Sequence, residues 1–198
     1  MKIDNSLPLE YSTGQNQANI LGFWIFIGAE IMLFGTLFAA YFTLVDRTGN
    51  GPTGADIFEI APLLIETFVL LTSSFTIGLA IHAMRLGKQK AMMAFLGITL
   101  LLGLVFLSVE IFEFNHFYHV GAGLQTSAFT AILLTTLGTH GGHVTFGLLW
   151  GTAIILQIRK RGLTPETANK SFIFSLYWHF LDVVWIFIFS FIYLKGLM

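Results

Sequence analysis

Five stretches of this chain stay apolar for about the 20 residues that a membrane crossing needs, and polar, turn-forming segments separate them. They cover residues 20–44, 62–84, 91–111, 128–158 and 171–194. The prolines respect this partition. Pro8, Pro52 and Pro165 fall in polar segments, and Pro62 sits in a first helical turn, where its missing N–H leaves no bond unmade. The pattern predicts an all-α polytopic membrane protein: a five-helix transmembrane domain over residues 20–198, preceded by a polar tail over residues 1–19. That tail carries Lys2, Asp4 and Glu10 but lacks the basic region and apolar core of a cleaved signal, so the first span is expected to be retained. The connections between spans two and three, and between four and five, are short enough to make antiparallel hairpins. The other two loops, residues 46–61 and 113–127, are read as external; the first holds the turn-rich Gly49-Asn50-Gly51-Pro52-Thr53-Gly54.

Charge gives this bundle a direction. Arg85, Lys88 and Lys90 lie between spans two and three, and Arg159, Lys160, Arg161 and Lys170 between four and five. With Lys2 they put eight basic residues on one side, against Arg47 and Lys195 on the other. The positive-inside rule then places the N-terminus in the cytoplasm and the C-terminus outside the cell membrane.

Composition narrows the class. Charged residues make up 11% of the chain and hydrophobic ones 55%, with 21 phenylalanines; soluble domains usually carry about 25% charged residues. Net charge is −1, with no basic face, so nucleic acid is excluded as a partner. The absence of cysteine excludes disulfides, thiolate-held iron–sulfur clusters and a cysteine-bridged copper centre. Any metal would need histidine or carboxylate ligands.

The polar residues inside the spans are the candidates for chemistry. His179 and Asp182 interrupt the fifth span, and an aspartate at the middle of a membrane helix costs about 2.5–3.5 kcal/mol on insertion scales, so a protein group must solvate it. His179 and Asp182 lie about 60° apart around the helix, on one side with Ser171, Ser175, Ser190 and Tyr193. Phe172, Phe180, Val184, Phe187 and Phe191 form the opposite, greasy side. In span one, Glu30 has only Phe26, Ile27, Leu33 and Phe34 as its helical neighbours, so it either keeps its proton or bonds a polar group of another span. A proton-handling role is the second reading of Glu30. Gly28, Gly35 and Ala39 line another side of that helix, where a second backbone is expected to approach. Span four carries His140 and His143 on the side of Gly147 and Gly151, with Gly138, Gly142 and Thr145 opposite, which predicts neighbours on both flanks. Glu30, His140, His143, His179 and Asp182 are expected to form one or two buried networks joining spans one, four and five. Glu66, Glu110 and Glu113 are read as membrane-edge carboxylates: Glu66 favoured by the dipole of a first turn, the other two in a hydrated helix end with His116 and His119. The i,i+3 spacing of those four residues would suit a divalent cation if the helix continued outward, but the bland reading is preferred, and neither a metal site nor a catalytic residue is assigned.

Two other classes compete on the same residues. The membrane-anchor cytochrome b subunit of a quinone-linked dehydrogenase also has five spans, but needs a pair of deep histidines for each of two haems. Here only His140, His143 and His179 are deep, since His82 sits at a cytoplasmic end and His116 and His119 at an outer one. A secondary transporter commonly shows inverted repeats and broken helices, and neither is visible.

Three segments taken in order are specific: Glu30-Ile31-Met32-Leu33-Phe34 followed by Ala40-Tyr41; Gly138-Thr139-His140-Gly141-Gly142-His143-Val144; and Trp178-His179-Phe180-Leu181-Asp182-Val183-Val184-Trp185. Together they resemble subunit III of the haem-copper terminal oxidases, over essentially the whole chain after Ala18. Gly51-Pro52-Thr53-Gly54 with Asp56-Ile57-Phe58-Glu59, Glu66-Thr67-Phe68, and Arg159-Lys160-Arg161-Gly162-Leu163-Thr164 are similar to the quinol-oxidising branch, whose subunit III has five spans rather than seven. The resemblance implies a helical subunit without haem or copper of its own, packed with other subunits against a catalytic subunit I that holds those cofactors. The assembled enzyme, an oxidoreductase and translocase, would oxidise quinol, reduce O2 to water and move protons outward. Likeness to the version in Gram-positive bacteria points to menaquinol. Glu30 matches the family's buried span carboxylate, a site of carbodiimide reactivity in relatives. The family association is with stabilising the catalytic subunit and binding phospholipids.

Overall fold

The computed structural model describes residues 6–197, so Lys2 and Asp4 lie outside the described residues. Helices α1 (Gly14–Leu44), α2 (Gly54–Ile57), α3 (Ile60–Arg85), α4 (Gln89–His119), α5 (Ala128–Arg161) and α6 (Pro165–Ile188) follow in chain order. Helix α6 continues through one π turn (Phe189–Tyr193) into a last turn, Leu194–Gly196, so the fifth span runs Pro165–Gly196. Five of these helices, all but α2, are long and apolar enough to cross a membrane, and no strand occurs among the described residues.

Each span outruns the apolar stretch that predicts it, because polar residues cap and extend it. The Thr13 hydroxyl accepts the Asn16 N–H at 3.1 Å, which starts α1 at Gly14 rather than Ile20. Thr164 and Thr167 cap one another at 3.2 and 2.8 Å with Pro165 in the first turn, so α6 begins six residues before Ser171. Helix α4 carries on to His119 and stops at Gly121, whose φ of +83° suits glycine. The loop between α4 and α5, read as external, is therefore residues 120–127, not 113–127. In the loop between α1 and α3, the Thr53 hydroxyl and N–H donate to Asp56 at 2.6 and 2.8 Å and hold its carboxyl below the usual range.

Helix α6 is the most buried span and α1 the least. Helices α3 and α4 form the tightest hairpin, α4 leans on α5, and α6 lies against α1, α3 and α5. Two tryptophans of α6 reach α3: Trp178 Nε1 donates to Ser73 Oγ at 2.9 Å and Trp185 Nε1 to Thr67 Oγ1 at 3.1 Å. Glycines make room for the first of these rings. A Cβ on Gly103 would stand 2.7 Å from Trp178 Cη2, and one on Gly147 3.1 Å from Cζ3.

Part of the N-terminal segment read as a polar tail is packed. Glu10 is fully buried in a short 3-10 turn (Leu9–Tyr11), and its Oε1 accepts Arg85 Nε and Nη2 at 2.9 and 2.8 Å. Asn169 Nδ2 donates to the Glu10 and Asn16 carbonyls at 3.0 and 3.1 Å, tying this turn to α6.

The small-residue stripes divide differently from expectation. Gly141, Gly147 and Gly151 of α5 are packed tightly, but a Cβ on Gly142, Gly28 or Gly35 would meet nothing within 4 Å. Helices α1 and α5 thus each keep an open side within this chain, since a small residue permits close approach without compelling it. The prediction is position-specific: Gly103→Val drives methyls into the Trp178 ring and costs about 1–3 kcal/mol. Gly97→Ala, on the same helix with nothing within 4 Å, leaves stability unchanged or raises it slightly. Thermal unfolding in detergent distinguishes the two.

Candidate functional site

Most of the ionisable groups within the spans gather into three centres. At the first, Glu30 Oε2 lies 3.1 Å from His143 Nε2, joining α1 to α5. The other ring nitrogen, Nδ1, lies 2.7 Å from the Thr139 carbonyl oxygen. A carbonyl only accepts, so Nδ1 carries a hydrogen. One further proton therefore sits between Nε2 and the carboxyl, as a Glu30 acid donating to neutral imidazole or as an imidazolium paired with carboxylate. Phe34 packs on the His143 ring at 5.4 Å, and the Tyr177 hydroxyl donates to the His143 carbonyl at 2.9 Å.

The second centre joins α6 to α3. Ser74 Oγ and His179 Nδ1 are 2.8 Å apart. Asp182 Oδ2 stands 3.8 Å from the same nitrogen, beyond hydrogen-bond range, and both buried Asp182 oxygens lack a hydrogen-bond partner. His140 belongs to neither centre. It is fully buried, both ring nitrogens are unpartnered, and Phe106 and Trp185 stand 5.7 and 5.6 Å from its ring.

The five residues expected to bind spans one, four and five together are thus divided: Glu30 meets His143, while His179 and Asp182 turn toward span two. Ser73, Ser74 and Thr67 were missed as their partners' anchors. Their signal was a few small hydroxyls, Thr67, Ser73 and Ser74, within an otherwise apolar helix.

The third centre corrects the membrane-edge reading. Glu66 of α3 and Glu110 and Glu113 of α4 are 0%, 2% and 6% exposed, not hydrated. They lie near helix ends in sequence, but α5 and the end of α6 close over them. The Glu110 carboxyl rests on Gly141, where a Cβ would be 2.7 Å from Oε1, and Glu113 accepts the Tyr193 hydroxyl. Helix α4 does continue to His119, yet His116 turns to Glu59 at 3.7 Å and His119 to the Asn115 carbonyl at 2.8 Å. Among the described residues, no group of three or more His, Asp or Glu side chains converges to hold a metal ion.

Five long apolar helices, joined by side-chain hydrogen bonds, define a multi-pass membrane protein. The Cytochrome c oxidase subunit III family matches residues 11–197, and the chain belongs to that family. It is similar to "Quinol oxidase subunit 3" of Bacillus subtilis (strain 168), 55% identical over 98% of this chain and 95% of that protein. It is 48% identical to "Probable quinol oxidase subunit 3" of Staphylococcus aureus (strain USA300), over 96% of this chain and 94% of the relative. "Cytochrome c oxidase subunit 3" of Bacillus sp. (strain PS3) is 45% identical over 96% and 92%. The resemblance read from the motifs holds along the chain, and the protein is a multi-pass component of a bacterial membrane. The membrane-anchor cytochrome reading finds no support in these likenesses.

The division into centres gives a measurable pattern of coupling. Unfolding of the purified complex carrying Glu30→Gln, His143→Phe and both should show a coupling of about 0.6 kcal/mol, and no more than about 1.7, as for interhelical bonds in membranes. Asp182→Asn should add to either substitution without coupling, because it sits in the other centre.

Proposed function

We propose that this chain is the non-redox subunit III of a proton-translocating quinol oxidase in an aerobic respiratory chain. The likeness to "Quinol oxidase subunit 3" at 55% identity over nearly all of both proteins carries this reading. Haems and copper belong to the partner, catalytic subunit I, where quinol is oxidised and O2 reduced to water. Menaquinol is the reductant read from the same likeness. The N-terminus and both basic loops face the cytoplasm.

The physical role is mechanical support. Two observations favour it. The Glu30–His143 and Ser74–His179 contacts join helices, and α1 presents an apolar side, including Trp24, Ile25 and Met32, that none of the described residues covers. Such surfaces suit another subunit's helices and the acyl chains of phospholipids. Glu30 and His143 share one proton in a half-buried position; their task in this reading is to hold α1 to α5.

Removal of the subunit tests the proposal. Oxidase stripped of this chain keeps its haem absorption and its initial turnover, then loses activity during turnover faster than the intact complex. Absent haem, or no initial activity, would give the chain a direct part in the chemistry and overturn the supporting role.

A further inference from the structure

The support role leaves the three-carboxyl centre unused. Glu66 lies about 9 Å along α3 from its outer end, while Glu110 and Glu113 lie about 14 and 9 Å back from the end of α4, at the helical rise of about 1.5 Å per residue. All three are within electrostatic reach of one another. Both oxygens of Glu66, both of Glu110 and Oε1 of Glu113 are buried without a hydrogen-bond partner. No Lys or Arg among the described residues forms an ion pair with them. The Tyr193 hydroxyl is the one donor among the described residues that is directed at them, and it is delivered by the π turn of the fifth span. Single π turns inside α-helices are frequently found at functional sites.

A cleft of about 220 Å³ leads from this centre to the surface. Glu113 lies on its wall, Pro62 and Phe112 flank it, and Glu59 and His116, both well exposed, stand at its rim. Glu66 and Glu110 do not line it. Of the three carboxyls, Glu113 is the one that borders this cleft and so is placed to exchange a proton with the medium through it. Metal ligation is not favoured, because the three carboxyls do not converge on one ligand sphere.

We propose that Glu66, Glu110 and Glu113, with the Tyr193 hydroxyl, form a proton-holding site that exchanges with the medium at the Glu59 and His116 end of the bundle. Protons shared among the carboxyl groups remove the mutual repulsion that three unpaired carboxylates would feel. In release, an O–H bond of Glu113 breaks and the proton forms a new bond to a water oxygen in the cleft or to a ring nitrogen of His116. The carboxylate left behind keeps the hydrogen bond from Tyr193. A proton from Glu66 or Glu110 then refills Glu113. The titratable groups facing the site are Tyr193 from the fifth span and, at the rim, Glu59 and His116.

Infrared difference spectra of the intact oxidase complex in H2O and D2O test this. At neutral pH, protonated-carboxyl C=O bands should be present, shift on deuteration, and be lost singly in Glu66→Gln, Glu110→Gln and Glu113→Gln. Tyr193→Phe should shift the Glu113 band, and Val109→Trp, which fills the cleft, should slow deuterium exchange of all three. Should a glutamine variant fail to assemble, the same bands are sought in unsubstituted complex carrying isotope-labelled glutamate, and Glu113→Asp should restore a displaced band. Carboxylate bands alone at neutral pH, or protonated bands that do not exchange in D2O, would overturn the proposal. Both outcomes are separable from the support role, which is read from retained haem and activity.

Discussion

Inside a lipid bilayer there is no water to satisfy a donor or an acceptor, so each polar group on a buried helix face must be met by another helix or stay unmet at a cost. This constraint decides how the five spans are joined. Trp178, His179 and Trp185 of the fifth span each find a hydroxyl of α3, namely Ser73, Ser74 and Thr67. Glu30 and His143 do the same between α1 and α5. The hydrophobic effect supplies little drive between helices in lipid, so such bonds and close packing carry the association. The glycines belong to the same arrangement: Gly103 and Gly147 leave space for the Trp178 ring, and Gly141 for the Glu110 carboxyl.

That arrangement also bears on function. Each histidine near the middle of a span is either engaged by a neighbouring polar group or enclosed by aromatic rings. His143 is held between Thr139 and Glu30, His179 faces Ser74, and His140 lies among Phe34, Phe106 and Trp185. Polar side chains used in this way stiffen a scaffold. In the proposed supporting role, the open sides of α1 and α5 are the surfaces that would meet other subunits and lipid.

The spans were legible because five apolar runs of about 20 residues each match the thickness of a bilayer, a length that buried helices of soluble domains seldom sustain. Their ends were less so. Thr13 and Thr164 start helices whose first turns are polar, Gln15 to Gln17 and Glu166 to Asn169, and an apolar pattern passes over such turns. Glu30 stood out because nothing on its own helix could satisfy it. Its partner could not be chosen among His140, His143 and His179, since one sequence sets rotation about each helix but not which helices touch. The same limit put Glu110 and Glu113 in a hydrated helix end and left Glu66 as a first-turn acid favoured by the helix dipole. Distance from a helix end is readable along the chain, whereas the lid formed by Tyr193 in a π turn depends on a local change of helical winding that Phe189 to Tyr193 do not announce.

The proposed supporting role depends on the chain's embedded acids and imidazoles serving the packing of its helices rather than holding an electron carrier. The most direct measurement is the absorption spectrum and metal content of the chain purified by itself in detergent. The expected result is no Soret band and neither iron nor copper in stoichiometric amount. A haem spectrum, or bound copper that is lost when His140, His143 or His179 is replaced, would contradict it.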